Sequence, residues 1–266
     1  MTSYIIIGDF ESSMNFIKSV KKLFNYVFYF YILNMFILKK NKKYMSIILV
    51  GCEESQSITN SFRKLGHEAY SCDLLPCSGG HPEYHLQMDV FESIKLKKWE
   101  LGIFHPPCTF VASSSVGWLS HPEDKNLLFN DRRPHPKYPN RRQDMRDSVE
   151  FVKKLYNCEI PKVMIENPIG LLSTLWKKPD QIIHPWQFGD EAEKSTCIWL
   201  KNLPLLEPTK IVGKGEKVFY KSGKSHPKWY AEALNKAKTK EERQTLRSKT
   251  FPGIAEAISS QFSVVL

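Results

Sequence analysis

The stretch MSIILVG, from Met45 to Gly51, decides the fold. Its apolar residues form a continuous run, which is typical of a strand buried on both faces of a parallel sheet. The helical pattern SQSITNSFRKLGH follows, places Ile58 and Phe62 on one face, and stops at Gly66. The stretch therefore predicts the first strand of a repeating strand and helix pattern.

Four further strand patterns follow along the chain. They are EAYSCDLLP with Asp73 at its end, YHLQMDVFE ending near Asp89, KKWELGIFHPPC, and IPKVMIENP, which follows the amphipathic helix RDSVEFVKKLY. Strands that alternate with helices at this spacing predict an α/β fold with a doubly wound, mostly parallel sheet. Ligands of such sheets bind beyond the carboxyl ends of the strands, where the candidate residues of this sequence lie.

Charge is unevenly distributed along the 266 residues. The formal net charge is +10, yet the segment 194–249 alone holds fourteen Lys or Arg against five Glu. This asymmetry suits a near-neutral body with a basic arm that faces a polyanion such as DNA. A well-solvated lysine-rich surface is the alternative.

The first 44 residues differ from the rest. Leu23 to Leu38 are sixteen mostly apolar residues between lysine pairs and, as a helix, would extend about 24 Å, short of the roughly 30 Å hydrocarbon core of a membrane. We expect residues 1–44 to be a non-native extension, with Met45 as the working start and no membrane partner. A membrane or targeting segment is the alternative.

Six cysteines in a chain of this size do not predict a disulfide framework, and a reducing cytoplasm is the expected compartment. Cys72, Cys77, His81 and His85 lie within fourteen residues and could be interpreted as zinc ligands. Their spacing matches no zinc knuckle, and Cys72 falls inside a predicted strand. We therefore predict no metal site.

Cys108 and Glu166 end neighbouring strand patterns, in HPPC and IENP. Two prolines stiffen the backbone before Cys108, and a thiolate presented at a strand end is a nucleophile, although a buried inert cysteine is the alternative. A sulfur nucleophile beside a carboxyl acid suits attack on an electron-poor pyrimidine. Sulfur adds to carbon 6, the acid protonates ring nitrogen 3, and carbon 5 becomes nucleophilic enough to take an alkyl group.

Three other strand ends predict a nucleotide-like ligand. Asp73 is placed to accept hydrogen bonds from a ribose diol, and Asp89 from an adenine amino group. Gly51 permits close backbone approach, although GCEES is not the GxGxxG fingerprint. A turn or cap role for Asp73 and a solvated loop position for Asp89 are the alternatives.

The order GCEES, CDLLP, QMDV, HPPC, IENP resembles the motif series of DNA cytosine carbon-5 methyltransferases, most closely the compact phage-type members, from about Ile47 to Phe262. The resemblance implies a methyltransferase fold that binds S-adenosylmethionine. It also implies that Cys108 is the nucleophile, Glu166 the pyrimidine-binding acid, and Asn167 the residue that steadies the active-site loop. The cofactor-binding residues that it implies are Gly51, Cys52, Glu53, Asp73, Leu74, Asp89, Val90 and Pro107.

The sequence departs from the family pattern at several motifs. Cys52 and Glu53 follow Gly51 where further glycines are usual, ENP replaces ENV, and Thr109 replaces a glutamine. In place of QxRxR the chain has EKSTCIWL, with Lys194 and Thr196 as substitutes.

The resemblance also implies a domain plan and double-stranded DNA as the partner of a monomer. We expect a catalytic domain at 45–204, a small basic target-recognition region at 205–247, and a segment at 248–266 that returns to the catalytic domain. The loop 113–142 is rich in cations and aromatics and could close over DNA around a flipped base, or be a disordered surface loop. The predicted DNA-binding residues are Arg132, Arg133, Arg141, Arg142, Lys194, Thr196, Lys217 and Lys221.

Two other interpretations stay open. One is a degenerate methyltransferase that binds DNA without turnover. The other is pyrimidine nucleotide alkylation of the thymidylate synthase kind, which also uses Pro-Pro-Cys but needs a folate site and no basic arm. Amino-group methyltransferases are disfavoured, because they place an aromatic residue where this chain has Cys108.

Overall fold

A computed structural model of the chain describes residues 45–266, so the predictions about residues 1–44 lie outside the described residues. A seven-stranded sheet forms its centre. The strands are β1 Ile47–Gly51, β2 Glu68–Asp73, β3 His85–Gln87, β4 Leu101–Phe104, β5 Lys162–Pro168, β6 Gln181–Ile183 and β7 Thr196–Lys201. Their order across the sheet is β3-β2-β1-β4-β5-β7-β6. Neighbours from β3 to β5 pair in parallel, whereas β7 runs antiparallel to both β5 and β6.

Helices and a small hairpin complete the fold. The helices near the sheet are α1 Ser57–Lys64, α2 Val90–Lys95, α3 Arg141–Tyr156 and α4 Leu172–Leu175. After β7 come β8 Lys217–Phe219, β9 Ser225–Pro227, α5 Lys228–Lys236, α6 Lys240–Ser248 and α7 Pro252–Phe262. β8 and β9 form a separate antiparallel hairpin. None of the helices within residues 45–266 is long and apolar enough to cross a membrane.

The alternation of side chains along β1 creates two hydrophobic cores. Ile48 and Val50 pack on one face of the sheet with residues of α1 and α7, including Ile258. Leu49 packs on the other face with residues of α2 and α3, including Val149. Helices therefore cover both faces, and the predicted doubly wound, mostly parallel α/β fold is confirmed. It is consistent with the methyltransferase fold that the resemblance implies.

The sequence pattern predicted β1 to β5 and missed β6 to β9, and two of the differences bear on the predicted site residues. The third strand ends at Gln87, and Asp89 lies beyond it as the N-cap of α2. EKSTCIWL contributes β7, an antiparallel strand inserted between β5 and β6. The first five residues of β7 are buried, and Trp199 donates its indole N–H to the Lys177 carbonyl oxygen at 2.8 Å. The predicted boundaries at 204 and 247 stay predictions.

Candidate active site

The candidate site lies at the switch point of the sheet, where ligands of doubly wound folds bind. The chain builds outward from β1 to β3 and then crosses back to place β4 on the other side of β1. Phe104 of β4 pairs with Ile165 of β5, so that His105 and Glu166 follow on adjacent strands. The HPPC and ENP segments therefore meet at one edge of the sheet, as the sequence pattern predicts.

Asn167 joins these two segments. Its Nδ2 donates a hydrogen bond of 2.8 Å to the Pro106 carbonyl oxygen, and the residue is only 1% exposed. Its Oδ1 is buried without a partner among the described residues. A buried bond from the end of β5 to the backbone before Pro107 restricts the position of Pro-Pro-Cys.

A second contact between the segments is made by backbone atoms. Ser113 donates to the Ile169 carbonyl oxygen at 3.0 Å, and Leu171 donates to the Val111 carbonyl oxygen at 2.7 Å. Gly170 lies between these bonds, where a side chain would place its Cβ 2.1 Å from the Val111 oxygen. Only glycine allows the loops after Cys108 and after Glu166 to approach this closely.

Glu166 is paired with His105, a residue that the sequence analysis did not select. His105 Nδ1 lies 3.2 Å from Glu166 Oε2, and the two side chains are 13% and 20% exposed. Burial raises the pKa of Glu166, but the hydrogen bond and charge of His105 outweigh it, and the net direction is downward. A histidine at the end of the apolar run LGIF was the available signal, since a polar group there must find a partner.

The Cys108 residue is exposed, but its thiol is poorly solvated within the site. This desolvation and the nearby Glu166 carboxylate raise the pKa of Cys108, while the charges of Lys194 and Arg247 act in the opposite direction. The raised pKa favours the thiol form of Cys108 over the thiolate in the free protein. The effect of Glu166 on the pKa of Cys108 is consistent with their placement on neighbouring segments, and their roles as nucleophile and acid stay predictions.

A cleft adjoins Glu166 and combines polar groups with an apolar wall. Lys194 and Thr196 contribute to it from the start of β7, and Lys194 Nζ also donates to the Arg247 carbonyl oxygen at 3.3 Å. The residues that line the cleft are His105, Met164, Glu166, Ile183, Lys194, Thr196, Thr250, Phe251, Ile254 and Ile258. The cleft thus joins the polar groups of His105, Glu166, Lys194 and Thr196 to an apolar wall, and Cys108 is not among its lining residues.

The predicted cofactor residues gather at the ends of β1, β2 and β3. Asp73 Oδ1 accepts from the Leu75 N–H at 2.9 Å, and Asp89 Oδ1 accepts from the Phe91 N–H at 2.8 Å. These are the turn and cap roles considered as alternatives, and they leave each Oδ2 without a partner among the described residues. Burial raises the pKa of the Cys52 thiol, and the charges of Asp73 and Asp89 add to this. Two free carboxylate oxygens at one edge are acceptors that fit a ribose and an adenine amino group.

The other predicted cofactor residues have placements that the sequence did not reveal. Glu53 is buried, and its carboxylate accepts from the Ile58 N–H at 2.7 Å and the Thr59 hydroxyl at 2.7 Å, so it caps α1. A side chain at Gly51 would meet Phe104 at 2.6 Å, so packing also explains this glycine. Val90 is in the core, whereas Leu74 and Pro107 are exposed. Their cofactor roles stay predictions.

The arginines of the loop 113–142 are largely occupied within the protein. Arg133 binds Asp124, with Nη2 2.6 Å from Oδ1, and lowers the pKa of that carboxyl to about 2. Arg132 and Arg142 donate to backbone carbonyl oxygens of the same loop, and Arg141 donates to the Thr109 carbonyl oxygen at 3.0 Å. The loop contains three short 3-10 helices, and its arginines hold it in place. Contacts of these arginines with DNA stay a prediction.

The basic residues of the hairpin differ in their surroundings. Lys217 forms an ion pair of 2.9 Å with Glu193, whereas Lys221 lies exposed in the turn between β8 and β9. Within residues 45–266, no group of three or more His, Cys, Asp or Glu side chains is placed to hold a metal ion. Of the four residues that could be interpreted as zinc ligands, His85 contacts the Ser71 hydroxyl and Cys77 contacts Gln56.

No family model matches the chain, and no curated protein matches its sequence. Among solved structures, one similar chain is provisionally described as a DNA modification methyltransferase encoded within a prophage (E. coli). It is 13% identical, with a TM-score of 0.35, over 64% of this chain and 52% of that chain. This chain thus spans about half the length of that one. The function has to be argued from the residues of the site.

Proposed function

We propose that this chain is a DNA cytosine carbon-5 methyltransferase that uses S-adenosylmethionine. The observation that carries the proposal is that Cys108 follows β4 and Glu166 lies near the end of the adjacent parallel strand β5, with Asn167 bonded to the Pro106 carbonyl oxygen. The segments that carry the proposed nucleophile and the proposed acid therefore leave the same edge of the sheet, on a backbone that the sheet makes rigid.

The chemistry follows from what these two side chains can do. The thiol of Cys108, an exposed residue, first loses its proton to solvent, and the thiolate then attacks carbon 6 of the pyrimidine while the Glu166 carboxyl donates a proton to ring nitrogen 3. The product is an enamine with nucleophilic carbon 5. A stacked cytosine hides both faces of its ring, so the base has to be flipped out of the duplex to reach sulfur.

The cofactor is assigned to the neighbouring strand ends. Asp73 and Asp89 would hold it through the carboxylate oxygens that the protein leaves unpaired. When bound there, S-adenosylmethionine supplies an electrophilic methyl group. The carboxylates of Asp73 and Asp89 would bind and orient the cofactor, and Cys108 would activate the cytosine.

DNA is assigned to exposed cations and aromatics of the loop 113–142 and of the β8–β9 turn. Trp118 and Tyr138 are partly exposed, pack edge to face at 5.5 Å, and lie beside Arg141. Lys221 adds charge from the β8–β9 turn. Stacking and phosphate contacts of this kind bind DNA with little dependence on its sequence.

The test is incubation with tritiated S-adenosylmethionine and duplex DNA of mixed sequence, followed by nucleoside analysis. We expect label in 5-methylcytosine, and none with Cys108→Ala. Label in N4-methylcytosine or N6-methyladenine would contradict the proposal. DNA binding without any label would instead identify a non-catalytic DNA-binding protein.

A further inference from the structure

His105 is a buried imidazole that the chemistry above does not use. It lies between β4 and Pro-Pro-Cys, and its backbone N–H donates to the Gly51 carbonyl oxygen at 3.0 Å. Its side chain is 13% exposed and lines the cleft together with Glu166. The imidazole is therefore next to the proposed acid and faces the same cleft.

The two nitrogens of this ring have different surroundings. Nδ1 lies 3.2 Å from Glu166 Oε2, whereas Nε2 is buried and has no hydrogen-bond partner among residues 45–266. Among the described residues, the Glu166 carboxylate is therefore the one hydrogen-bond partner of the His105 ring. A proton can move between these two groups without breaking a bond to a third protein group.

Three ionisable groups act on His105, each from a different segment, and burial raises the pKa of one of them, Glu53. They are Glu166 at the end of β5, Glu53 after β1, and Lys194 before β7. Burial lowers the pKa of His105, but the hydrogen bond and charge of Glu166, assisted by Glu53, reverse the direction and raise it. Because His105 also lowers the pKa of Glu166, the free pair holds its proton on the imidazole.

The position of the proton on His105 means that the proposed reaction needs a proton transfer to Glu166. Glu166 has to protonate ring nitrogen 3, yet His105 lowers the pKa of Glu166 and so favours its carboxylate form in the free protein. A group that must act as an acid needs a proton source within hydrogen-bond reach. His105 Nδ1 is within that reach, at 3.2 Å.

We propose that His105 is a positioning residue that supplies Glu166 with the proton delivered to ring nitrogen 3. The inference rests on the proposed function. In the step, the bond between the Cys108 sulfur and carbon 6 forms, and the π pair of carbons 5 and 6 becomes the second bond between carbons 4 and 5. The π pair between carbon 4 and nitrogen 3 takes the proton, which leaves His105 Nδ1 and passes through Glu166. Elimination of sulfur returns this proton along the same route.

The test uses the full chain without cofactor and measures tritium release from duplex DNA that carries 5-tritiated cytosine. Reversible addition of sulfur makes carbon 5 exchange its hydrogen, so this rate reports the protein's own residues. His105→Asn keeps an N–H donor but cannot give up a proton, and we expect its release rate to fall about a hundredfold. His67→Asn is the matched control. His67 precedes β2, is also shielded from solvent, and forms hydrogen bonds with Ser46 and Ser263.

The pH profile separates proton supply from packing. The exchange rate depends on both the Cys108 thiolate and the protonated pair of His105 and Glu166. The thiolate fraction grows as pH rises, and the rise of the wild-type rate should level off where the pair loses its proton, at the raised pKa of His105. In His105→Asn the proton is held by a carboxyl beside Lys194, so the rate should level off at lower pH. Exchange by His105→Asn at the wild-type rate and pH profile would overturn the inference and leave the proposed function standing.

A measurement on the free protein keeps the inference testable if His105→Asn does not fold. In an NMR titration, His105 of the wild-type protein should have a pKa above the usual value of about 6.5. Glu166→Gln should lower it, because burial and Lys194 then act with less opposition. A wild-type pKa below 6.5 would overturn the inference alone. Absence of tritium release, covalent adduct and methylation with wild-type protein would overturn the proposed function and this inference with it.

Discussion

Asn167 holds Pro106 in place: its Nδ2 donates a hydrogen bond of 2.8 Å to the Pro106 carbonyl oxygen across the ends of two adjacent strands. Because Pro106 is two residues before Cys108 and Asn167 is next to Glu166, this one bond links the backbones that carry the proposed nucleophile and acid. The bond explains why residue 167 is an asparagine, since a side-chain N–H donor at this position reaches the Pro106 carbonyl oxygen. The bond is buried, so its loss leaves an acceptor without water.

Asn167→Ala should therefore weaken both the fold and the reaction. An unpaired buried carbonyl costs about 1–3 kcal/mol, so we expect the free energy of unfolding to drop by that amount in denaturant titrations. Methylation should fall while S-adenosylmethionine affinity is retained. Asn157→Ala is the control, because Asn157 is the exposed C-cap residue of α3, and it should change neither the free energy of unfolding nor methylation. Unchanged methylation by a folded Asn167→Ala protein would count against this role.

DNA that carries 5-fluorocytosine should trap the protein through Cys108. Fluorine cannot leave carbon 5 as a proton does, so the adduct persists and migrates as a slower band on a denaturing gel in the presence of cofactor. The band should vanish with Cys108→Ala. It should remain with Cys158→Ala, because Cys158 lies before β5, at the opposite end of the strand from Glu166. A band that survives Cys108→Ala would assign the nucleophile elsewhere.

Alkylation of Cys108 should be slow at neutral pH and accelerate under alkaline conditions. Desolvation and the Glu166 carboxylate raise the pKa of Cys108, and only the thiolate reacts with iodoacetamide. Glu166→Gln removes the carboxylate charge, so the pKa should fall and alkylation at pH 8 should quicken, although methylation slows. Peptide mass spectrometry at several pH values would measure this. Slower alkylation in Glu166→Gln would show that the carboxylate does not act on the thiol.

Asp73→Ala should weaken S-adenosylmethionine binding. Loss of a hydrogen bond to the cofactor costs about 1–3 kcal/mol, which corresponds to roughly ten- to hundredfold in affinity. Calorimetry would measure the change, with Asp147→Ala on the exposed surface of α3 as the control. Equal affinities of Asp73→Ala and wild type would remove Asp73 from the cofactor site.

Replacing Lys221 and Lys224 by alanine should weaken binding to all duplexes alike. Both lysines are exposed in the β8–β9 turn, and phosphate contacts carry no base specificity. The slope of log affinity against log salt should flatten by about 0.9 for each phosphate that the protein no longer neutralises. Lys154→Ala, near the end of α3, is the control. We expect a smaller effect at Lys217, since its charge is paired with Glu193. An effect confined to one DNA sequence would contradict phosphate binding.

The strand pattern was predictable because buried parallel strands leave a local signal. MSIILVG and the apolar run before HPPC predicted β1 and β4, and the alternation with helices predicted the doubly wound sheet. β7 was missed as a strand, since antiparallel insertion between β5 and β6 depends on partners distant in sequence. The predicted end of β3, near Asp89, was two residues too late, because the N-cap role of Asp89 competes with strand pairing.

The sequence by itself determined the fold class and brought Cys108 and Glu166 to neighbouring strand ends, since both depend on local apolar runs and on the geometry of parallel sheets. Only the tertiary structure decided which polar groups find each other. The pairing of His105 with Glu166, and the use of Glu53 to cap α1, involve side-chain directions that no local pattern encodes. The same holds for Arg133, whose charge is neutralised by Asp124. Buried polar groups must be satisfied, and their partners are set by packing in three dimensions.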